Sequence, residues 1–327
     1  MNATISSIGI YHPEKEIRNS FFEEYLDTSD QWIRERTGIE KRFHASKNEY
    51  TSDLCIKAAL SLAKNYNINL NNVDFIIVAT STPDQIFPGV ASQVQNKLHI
   101  SNAGCMDISA ACAGFIYGII TAKGLIAAQT HRKILVIGAD TLSKITDFSD
   151  RSSCILFGDG AGAVIVEAAT ENHIFKAITD TDGSHGQDLY LYNLSGYINE
   201  QAILTDNKLH QNGKSVFKWA VTNLIEKIKK LAYVNNLNLQ DIDYLIPHSA
   251  NIRILEAVCK SLNISMDKCV ESIRNYGNTS AASIPIAWYN GVTSGRIRIN
   301  DNLLLIGFGG GLTCAGIYIR NRIDTVE

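Results

Sequence analysis

Short runs of consecutive apolar, often β-branched residues recur along the chain and predict buried strands. These runs occupy residues 4–11, 74–80, 133–139, 163–166, 244–247 and 303–306. Between them, apolar residues recur at helical spacing in segments such as 52–64 and 214–231. The apolar face predicted for the second of these helices consists of Phe217, Val221, Leu224, Ile228 and Leu231. Because predicted strands alternate with helix-length segments, the pattern favours an α/β fold.

Two pairs of these segments repeat each other at a constant spacing. The run NVDFII at 72–77 resembles DIDYLI at 241–246, and KILVIG at 133–138 resembles NLLLIG at 302–307, both at an offset of 169 residues. The same offset places DISAAC at 107–112 over YGNTSA at 276–281. A chance match between ordinary strand pairs is the alternative to a duplication. A duplication predicts two similar halves, 1–170 and 171–327, that share one cleft.

Composition and charge exclude a disordered chain and argue against several classes of partner. The 327 residues are 45% apolar and 19% charged with only five prolines, which excludes a disordered chain. A net charge of −3 provides no overall basic field for nucleic acid. The N-terminus lacks signal-peptide features, and the most apolar stretch, about 108–122, is shorter than the roughly 20 residues that span a bilayer. We therefore expect a cytoplasmic protein without a nucleic-acid or membrane partner.

Among the seven cysteines, Cys112 has an unusual context. None of the cysteines has CxxC spacing, so neither a disulfide framework nor a metal site is expected, and most should be buried small apolar groups. Cys112 lies in the small-residue run SAACAGF, before an apolar helical segment. A helix N-terminus lowers the pKa of a thiol and stabilises an oxyanion on an attached acyl group. Cys112 is thus a candidate nucleophile, with a buried structural thiol as the alternative.

Two other polar residues form a chemically coherent set with Cys112. His248 follows the buried strand at 244–247, and α/β folds place sites at the carboxyl ends of strands. Asn278 lies in a small polar run before a predicted helix, where capping the helix is the alternative role. A thiolate that accepts an acyl group, with two donors that polarise a thioester carbonyl, suits a decarboxylative condensation. The other seven histidines are expected at the surface.

These motifs together resemble the thiolase superfamily and, most closely, the β-ketoacyl-acyl carrier protein synthase III family. The similarity runs along nearly the whole chain and rests on the runs TSDQWI (28–33), RTGI (36–39), ACAG (111–114), DR (150–151), LFGDGAG (156–162), PHSANIRI (247–254), YGNTS (276–280) and GFGGGLT (307–313). It implies a duplicated, thiolase-like αβαβα five-layer sandwich. The chain departs from the family at Ser249, where Gln is usual, and at Cys314, where an aromatic residue often follows the glycines.

The resemblance also implies a reaction and a set of site residues. Cys112 would take the acyl group of an acyl-CoA, and His248 and Asn278 would polarise the thioester of malonyl-acyl carrier protein as CO2 leaves. The carbanion would attack the acyl group, giving 3-oxoacyl-acyl carrier protein and starting fatty acid synthesis without a metal or cofactor. Backbone N–H groups of Cys112 and Gly310 would form the oxyanion hole. The implied CoA contacts are Trp32, Arg36, Arg151, Gly213, Phe217, Ala250 and Asn251. In an implied homodimer, Phe87 at the interface and Phe308 would limit the acyl pocket.

Local charge suggests where an acidic carrier protein docks. Residues 208–260 contain eight Lys and Arg but only four Asp and Glu, which gives this segment a charge of +4 in a chain of charge −3. A basic face attracts an acidic partner. Arg253, five residues after His248, is the preferred docking residue, with Lys214 and Lys218 as further candidates. A merely solvated helix face is the alternative.

Three alternative functions make different demands on these residues. A degradative thiolase would use a second Cys in a Cys-x-Gly context, which Cys314 matches, but Asn278 is expected of a decarboxylating enzyme. An inactive scaffold would lack the nucleophile. A relative in specialised metabolism, which condenses or transfers acyl groups to a non-fatty-acid acceptor, stays open. The sequence also leaves open which acyl-CoA is the primer, because a pocket distinguishes acyl groups that differ by one methylene by only about 1–3 kcal/mol.

Overall fold

The computed structural model describes residues 1–325. Its strands are β1 (Asn2–Tyr11), β2 (Lys15–Arg18), β3 (Lys41–His44), β4 (Phe75–Ala79), β5 (Gly104–Ile108), β6 (Lys133–Thr141), β7 (Asp159–Ala169), β8 (Ile174–Thr181), β9 (Leu189–Leu191), β10 (Tyr197–Ile198), β11 (Gln201–Ala202), β12 (Leu209–Gln211), β13 (Tyr244–Pro247), β14 (Asn302–Gly309) and β15 (Thr313–Arg320). Its α-helices are α1 (Ser20–Glu23), α2 (Asp30–Thr37), α3 (Thr51–Asn65), α4 (Val90–Lys97), α5 (Gly114–Ala127), α6 (Gly213–Val234), α7 (Ile252–Leu262), α8 (Ile273–Tyr276) and α9 (Ser283–Thr293). Short 3₁₀ turns, including Ala111–Ala113 and Ser280–Ala282, lie between them.

Two sheets of related topology form the centre of the molecule. The first has the order β1-β7-β6-β4-β5 and the second the order β13-β14-β15-β8. In each sheet a parallel pair, β4–β6 or β13–β14, continues into an antiparallel pair, β6–β7 or β14–β15. The second sheet therefore repeats the first without its fifth strand. At the place of that strand, Cys269 forms an isolated parallel bridge with Leu245.

The spacing found in the sequence recurs in the structure. β4 and β13, β6 and β14, and α5 and α9 each begin 169 residues apart, as do the turns Ala111–Ala113 and Ser280–Ala282. The duplicated fold is confirmed. The boundary at residue 170 stays a prediction; it falls in the short connection between β7 and β8.

Helices enclose the sheets in five layers. On the outer face of the first sheet, α3 and α4 share a core cluster that includes Leu62 and Ile76. Between the sheets, α5 and α9 share a cluster that includes Trp288 and Leu305. On the outer face of the second sheet, α6 and α7 contribute to a third cluster, which includes Ile228. Because helices cover both faces of each sheet, the central strands are apolar on both sides, which is why they appear in the sequence as continuous apolar runs.

Two predictions about side-chain exposure are wrong. His44 and His173 are only 6% and 8% exposed, although polar neighbours in sequence placed them at the surface. His44 is enclosed by residues more than 100 positions away: its Nε2 lies 3.3 Å from the Phe157 carbonyl, and burial lowers its pKa to about 4. On α6, Leu224, Ile228 and Leu231 are buried as predicted. Phe217 is 37% exposed, however, and Val216, Trp219 and Ala220 are buried in the first turns instead. The neighbouring sheet and helix, not the spacing alone, determine which stripe of α6 is buried.

The strands β5, β8 and β15 were not predicted from the sequence. Their runs GCMDI, IFKAITDT and TCAGIYIR mix apolar with polar or small residues, so they lack the continuous apolar signal of the central strands. Pairing with stronger neighbours establishes them. Within the described residues, no helix has the length and apolar character needed to cross a membrane.

Candidate active site

A cavity of about 860 Å³ lies where the two halves meet. The N-terminal half contributes residues that follow β4 and β5, and the C-terminal half contributes residues that follow β13 and the end of β14. The predicted site residues that line it are Cys112, His248, Ala250, Asn278, Phe308 and Gly310. The structure therefore brings the thiol, the imidazole and the amide to one cavity, although they are up to 166 residues apart in sequence.

Cys112 occupies the middle of the turn Ala111–Ala113, immediately before α5. Its predecessor Ala111 has a φ of 45°, a left-handed conformation that an alanine adopts only when its surroundings hold it there. Burial raises the pKa of the Cys112 thiol to about 12, and a hydrogen bond with Ser280 opposes that rise. The pKa is therefore raised and not lowered as predicted, and burial is the largest cause. The resting thiol is neutral at pH 7.

His248 is 1% exposed and follows β13 directly. Its backbone N–H donates to the Ile306 carbonyl at 2.8 Å, and its Nδ1 lies 2.7 Å from the Ser283 hydroxyl. The Ser249 backbone N–H also donates to that hydroxyl, at 3.3 Å. Burial lowers the pKa of His248 to about 3, so the imidazole is neutral at physiological pH.

Asn278 is held on three sides by backbone hydrogen bonds. Its N–H donates to the Leu156 carbonyl at 2.8 Å, and its carbonyl accepts the Gly158 N–H at 3.0 Å. Its Oδ1 accepts the Ser280 N–H at 2.9 Å. With Oδ1 engaged by the backbone, the Nδ2 protons are the part of the amide left to donate to a bound molecule.

The glycine run at the end of β14 packs directly against the turn that carries Cys112. A Cβ on Gly309 would lie 2.7 Å from the Cys112 nitrogen, and one on Gly307 would lie 2.8 Å from the Ala113 Cα. Glycine is required here by close approach of two backbones. The adjacent Gly310 lines the same cavity as Cys112, as an oxyanion hole formed by their N–H groups requires.

Most of the predicted CoA contacts lie outside the cavity wall, in two groups. Trp32 is flanked by two guanidinium groups, with Arg151 Cζ 5.1 Å and Arg36 Cζ 5.7 Å from its ring centroid. The Asn251 side chain donates to the Arg36 carbonyl at 3.1 Å, which links this cluster to the start of α7. Beside that helix, Gly213 and Phe217 lie in the first turns of α6, around Val216, which lines the cavity.

Three residues singled out from the sequence do not reach this cavity within the described chain. Phe87 is 83% exposed, although its neighbour Ile86 lines the wall. Ser249 is buried, and its hydroxyl accepts the Ser272 N–H at 3.0 Å. Cys314 is buried in β15 within the core of the second sheet. Neither departure from the family pattern therefore forms part of the cavity wall, and Cys314 is not placed to act as the second thiol of a degradative thiolase.

Sequence analysis missed three polar residues at the site: Asp140, Ser280 and Ser283. Asp140 lies near the carboxyl end of the buried strand β6, so the strand-end rule that singled out His248 would also have found it. Ser280 and Ser283 are small hydroxyl residues whose significance depends on the side chains they contact. No spacing rule distinguishes them from ordinary helix-capping serines.

Family models and individual proteins both match the sequence of this chain. The model of the family described as 3-Oxoacyl-[acyl-carrier-protein (ACP)] synthase III matches residues 106–183, and that of its C-terminal part matches residues 233–321. The chain is 47% identical to beta-ketoacyl-[acyl-carrier-protein] synthase III 2 of Staphylococcus epidermidis, over 97% of this chain and 98% of that protein.

Solved structures show the same relationship. A β-ketoacyl-[acyl carrier protein] synthase III from Thermus thermophilus is similar with a TM-score of 0.94 and 39% identity, over 97% of this chain and 99% of that one. The priming β-ketosynthase of the R1128 polyketide biosynthetic pathway is similar with a TM-score of 0.92 but 28% identity, over 100% and 97% of the two chains.

The close packing at Gly309 predicts that Gly309→Ala displaces Cys112. Its backbone is outside the left-handed region, so any effect of the added methyl is steric. We expect a loss of stability of about 1–3 kcal/mol from overpacking and a fall of about 100-fold in thiol acylation, measured by denaturant unfolding and by CoA release. Gly124→Ala is the matched control, because a Cβ there meets nothing within 4 Å. Wild-type acylation by Gly309→Ala would contradict the prediction.

Proposed function

The chain belongs to the 3-oxoacyl-[acyl-carrier-protein] synthase III family of condensing acyltransferases, and we propose that it joins a short acyl-CoA to malonyl-acyl carrier protein by decarboxylative condensation. This is the initiating condensation of fatty acid synthesis. The observation that supports the residue assignment is that Cys112, His248 and Asn278 line one cavity. Nothing in the comparisons favours a condensation in specialised metabolism.

In the first step, Cys112 attacks the thioester carbonyl of the acyl-CoA. The carbon–sulfur bond to Cys112 forms, the bond to CoA breaks, and CoA leaves as a thiolate that takes a proton from water. Backbone N–H groups of Cys112 and Gly310 stabilise the oxyanion that develops on the carbonyl oxygen. The cluster of Trp32, Arg36 and Arg151 offers flat and cationic groups to the nucleotide end of CoA.

In the second step, His248 and Asn278 stabilise the enolate that forms as malonyl loses CO2. The Ser283 hydroxyl accepts the Ser249 N–H and lies 2.7 Å from His248 Nδ1, and we infer that it donates its own proton to that nitrogen. The imidazole proton then lies on Nε2, where it can donate to the thioester oxygen alongside Asn278 Nδ2. Burial keeps His248 neutral, so it acts as a donor without a net charge. These two donors supply the electrophilic stabilisation, and we propose that no metal or cofactor takes part.

Two variants test the separate roles of Cys112 in acylation and Asn278 in decarboxylation. Cys112→Ala should not be labelled by a radiolabelled short-chain acyl-CoA. Asn278→Ala should still be labelled but should decarboxylate malonyl-acyl carrier protein about 100-fold more slowly, the usual cost of losing one oxyanion donor. Asn278→Asp is a second variant, which keeps an acceptor for the Ser280 N–H but replaces the donor by a carboxylate that repels the developing enolate. It should fail in the same step.

Two outcomes would reject the assignment. Equal labelling of wild type and Cys112→Ala would exclude Cys112 as the nucleophile. An Asn278→Ala protein that decarboxylates normally but cannot be acylated would reverse the proposed roles. Product mass from a panel of acyl-CoA primers would then identify the preferred primer.

We propose that the carrier protein docks where α6 and α7 adjoin the cavity. Arg253 is exposed in the first turn of α7, three residues after Ala250, which lines the cavity. Lys214 and Lys218 are exposed on α6, on either side of Val216 in sequence, and Val216 also lines the cavity. Lys227, which the local charge count included, is buried and pairs with Asp180 at 2.9 Å, so it adds little to this surface.

Charge reversal at Arg253 tests the docking surface. Arg253→Glu should raise the apparent KM for malonyl-acyl carrier protein by about three- to tenfold, because it replaces attraction by repulsion of an acidic partner. Acyl-CoA loading should be unchanged. Lys229→Glu, with the same charge change at an exposed position further along α6, is the control. Equal KM values for Arg253→Glu and the control would reject this docking site.

We also propose that two copies of the chain pair through β5. This strand forms one edge of the first sheet, and its Met106 is 38% exposed. The exposed Ile86 and Phe87 lie close to it, because Asp107 of β5 accepts the N–H groups of Val90 and Ala91 at 2.7 and 2.8 Å. An unpaired edge beside exposed apolar groups is a natural two-fold interface. In such a dimer Phe87 enters the acyl pocket of the partner.

Light scattering of the purified protein tests the dimer. Wild type should have twice the mass of the chain, and Met106→Asp should be monomeric, because a charge would be buried at the joined edges. Tyr233→Asp, at an 81% exposed position on α6, should remain dimeric. Phe87→Ala should remain dimeric and accept longer primers. A monomeric wild type, or an unchanged primer range in Phe87→Ala, would contradict the corresponding part of the proposal.

We propose a cytoplasmic location because the cysteines form no disulfides. All seven are unpaired thiols, as is usual in reducing compartments. Cell fractionation with an antibody against the chain tests the location, and recovery in an exported fraction would reject it.

A further inference from the structure

Arg42 of β3 is a buried cation with no assigned part in the reaction. It is 0% exposed, and within residues 1–325 its hydrogen bonds go to carbonyl and amide oxygens rather than to a carboxylate. Nη1 donates to Asn19 Oδ1 at 2.8 Å and to the Ile17 carbonyl at 3.4 Å, and Nη2 donates to the Ile155 carbonyl at 2.6 Å. Burial lowers the pKa of Arg42 to about 10, so the guanidinium is charged at pH 7. Because a buried charge is often no more stabilising than an apolar side chain, this arrangement points to a role beyond stability.

Two side chains of β3 hold alternate carbonyls of the segment 155–158. Arg42 bonds to the Ile155 carbonyl, and His44 Nε2 lies 3.3 Å from the Phe157 carbonyl. A carbonyl oxygen only accepts, so the proton of the neutral imidazole lies on Nε2. His44 is itself buried, with 6% exposure. The segment 155–158 is therefore fixed by two enclosed donors that the same strand supplies.

The groups between these two carbonyls hold Asn278. The Leu156 carbonyl accepts the Asn278 N–H at 2.8 Å, and the Gly158 N–H donates to the Asn278 carbonyl at 3.0 Å. Phe157 and Asn278 thereby form an isolated parallel bridge between the two halves of the chain. Since the backbone of Asn278 is bound to this segment, any shift of the segment moves the amide as well.

Two glycines let this bridge lie directly on the Arg42 side chain. A Cβ on Gly158 would lie 3.0 Å from Arg42 Cβ and 2.1 Å from the Tyr276 carbonyl oxygen. A Cβ on Gly277 would lie 3.1 Å from Arg42 Cβ, and Gly277 has a left-handed φ of 66°. Close approach of three backbones requires glycine at both positions. The residues next to Phe157 and next to Asn278 therefore both pack against Arg42.

We propose that Arg42 and His44 are positioning residues for the Asn278 amide, which they hold in place through the segment 155–158. Within the described chain neither residue lines the cavity, so each acts through this segment. The inference rests on the proposed function, in which Asn278 Nδ2 donates to the thioester oxygen of malonyl-acyl carrier protein. A displacement of about 1 Å at a reacting group costs about 100-fold in rate, so loss of the guanidinium should slow decarboxylation.

Acylation provides the internal reference, because the nucleophile is positioned by other contacts. The turn that carries Cys112 packs against Gly307 and Gly309 of β14. In residues 1–325, none of the backbone hydrogen bonds of the segment 155–158 goes to this turn. Loss of Arg42 should therefore affect the two half-reactions unequally, which a general loss of folded protein would not do.

A double-mutant cycle in the full-length protein tests the positioning role. Arg42→Met should decarboxylate malonyl-acyl carrier protein about 100-fold more slowly, with acylation by acyl-CoA within about threefold of wild type. Because Arg42 acts through Asn278, adding Asn278→Ala to Arg42→Met should cost less than about threefold, against about 100-fold in wild type.

Asn321→Ala is the control for a merely structural role. Asn321 is buried, and its Nδ2 donates to the Arg298 and Ile323 carbonyls, both at 2.9 Å, away from the segment 155–158. Its loss should lower stability in denaturant unfolding and leave decarboxylation within about threefold of wild type. In this background Asn278→Ala should retain its full cost.

His44 keeps the test decisive if Arg42→Met does not fold. His44→Leu removes the donor to the Phe157 carbonyl and should decarboxylate about tenfold more slowly. His44→Gln, which keeps an N–H donor on a side chain of similar length, should recover to within about threefold of wild type. Equal rates in these two variants, or additive costs of Arg42→Met and Asn278→Ala, would overturn the positioning role. A wild-type decarboxylation rate in Asn278→Ala alone would overturn the proposed function instead.

Discussion

The turns Ala111–Ala113 and Ser280–Ala282 occupy equivalent places in the two halves, and they meet at one cavity. The first residue of each, Ala111 and Ser280, has a left-handed backbone with φ of 45° and 49°. Each turn is followed directly by the central helix of its half. The glycines at the end of β14 and Gly138 of β6 let each turn pack closely against a central strand of the other half. Without this contact the nucleophile, its hydroxyl neighbour and the two donors would not share a cavity.

Burial is the second constraint, and it favours the neutral form of both Cys112 and His248. It raises the pKa of Cys112 to about 12 and lowers that of His248 to about 3, so both are neutral at rest. A neutral imidazole is suited to donate a hydrogen bond to a developing enolate, whereas a neutral thiol must lose a proton before it attacks. The same exclusion of water therefore helps the second half-reaction and creates the need for a base in the first.

The two halves have diverged in what they present to the cavity. The N-terminal half supplies the thiol from the turn before α5, whereas the equivalent turn before α9 supplies Ser280. The C-terminal half adds the imidazole after β13 and the amide before its turn. In the proposed mechanism, one half therefore carries the acyl group and the other carries the donors that act on the second substrate.

Much of the fold and the site could be predicted from the sequence. Continuous apolar runs predicted the central strands because both their faces are buried, and the constant spacing predicted the duplication. The motifs around Cys112, His248 and Asn278 carried the family resemblance, because close packing and capping restrict residue types locally. These are properties that neighbouring residues in the chain determine.

Other features depend on residues that are distant in sequence. Burial reversed the expected pKa shift of Cys112, enclosed His44 and selected the stripe of α6 that excludes Phe217. Asp140 of β6 accepts the Ala281 N–H from the turn of the other half, a contact that no local pattern predicts. The sequence alone determined the central strands, the repeat and the main candidate site residues, since local patterning encodes them. Only the tertiary structure decided their protonation states and partners, because desolvation and hydrogen bonding depend on what the whole fold places around each group.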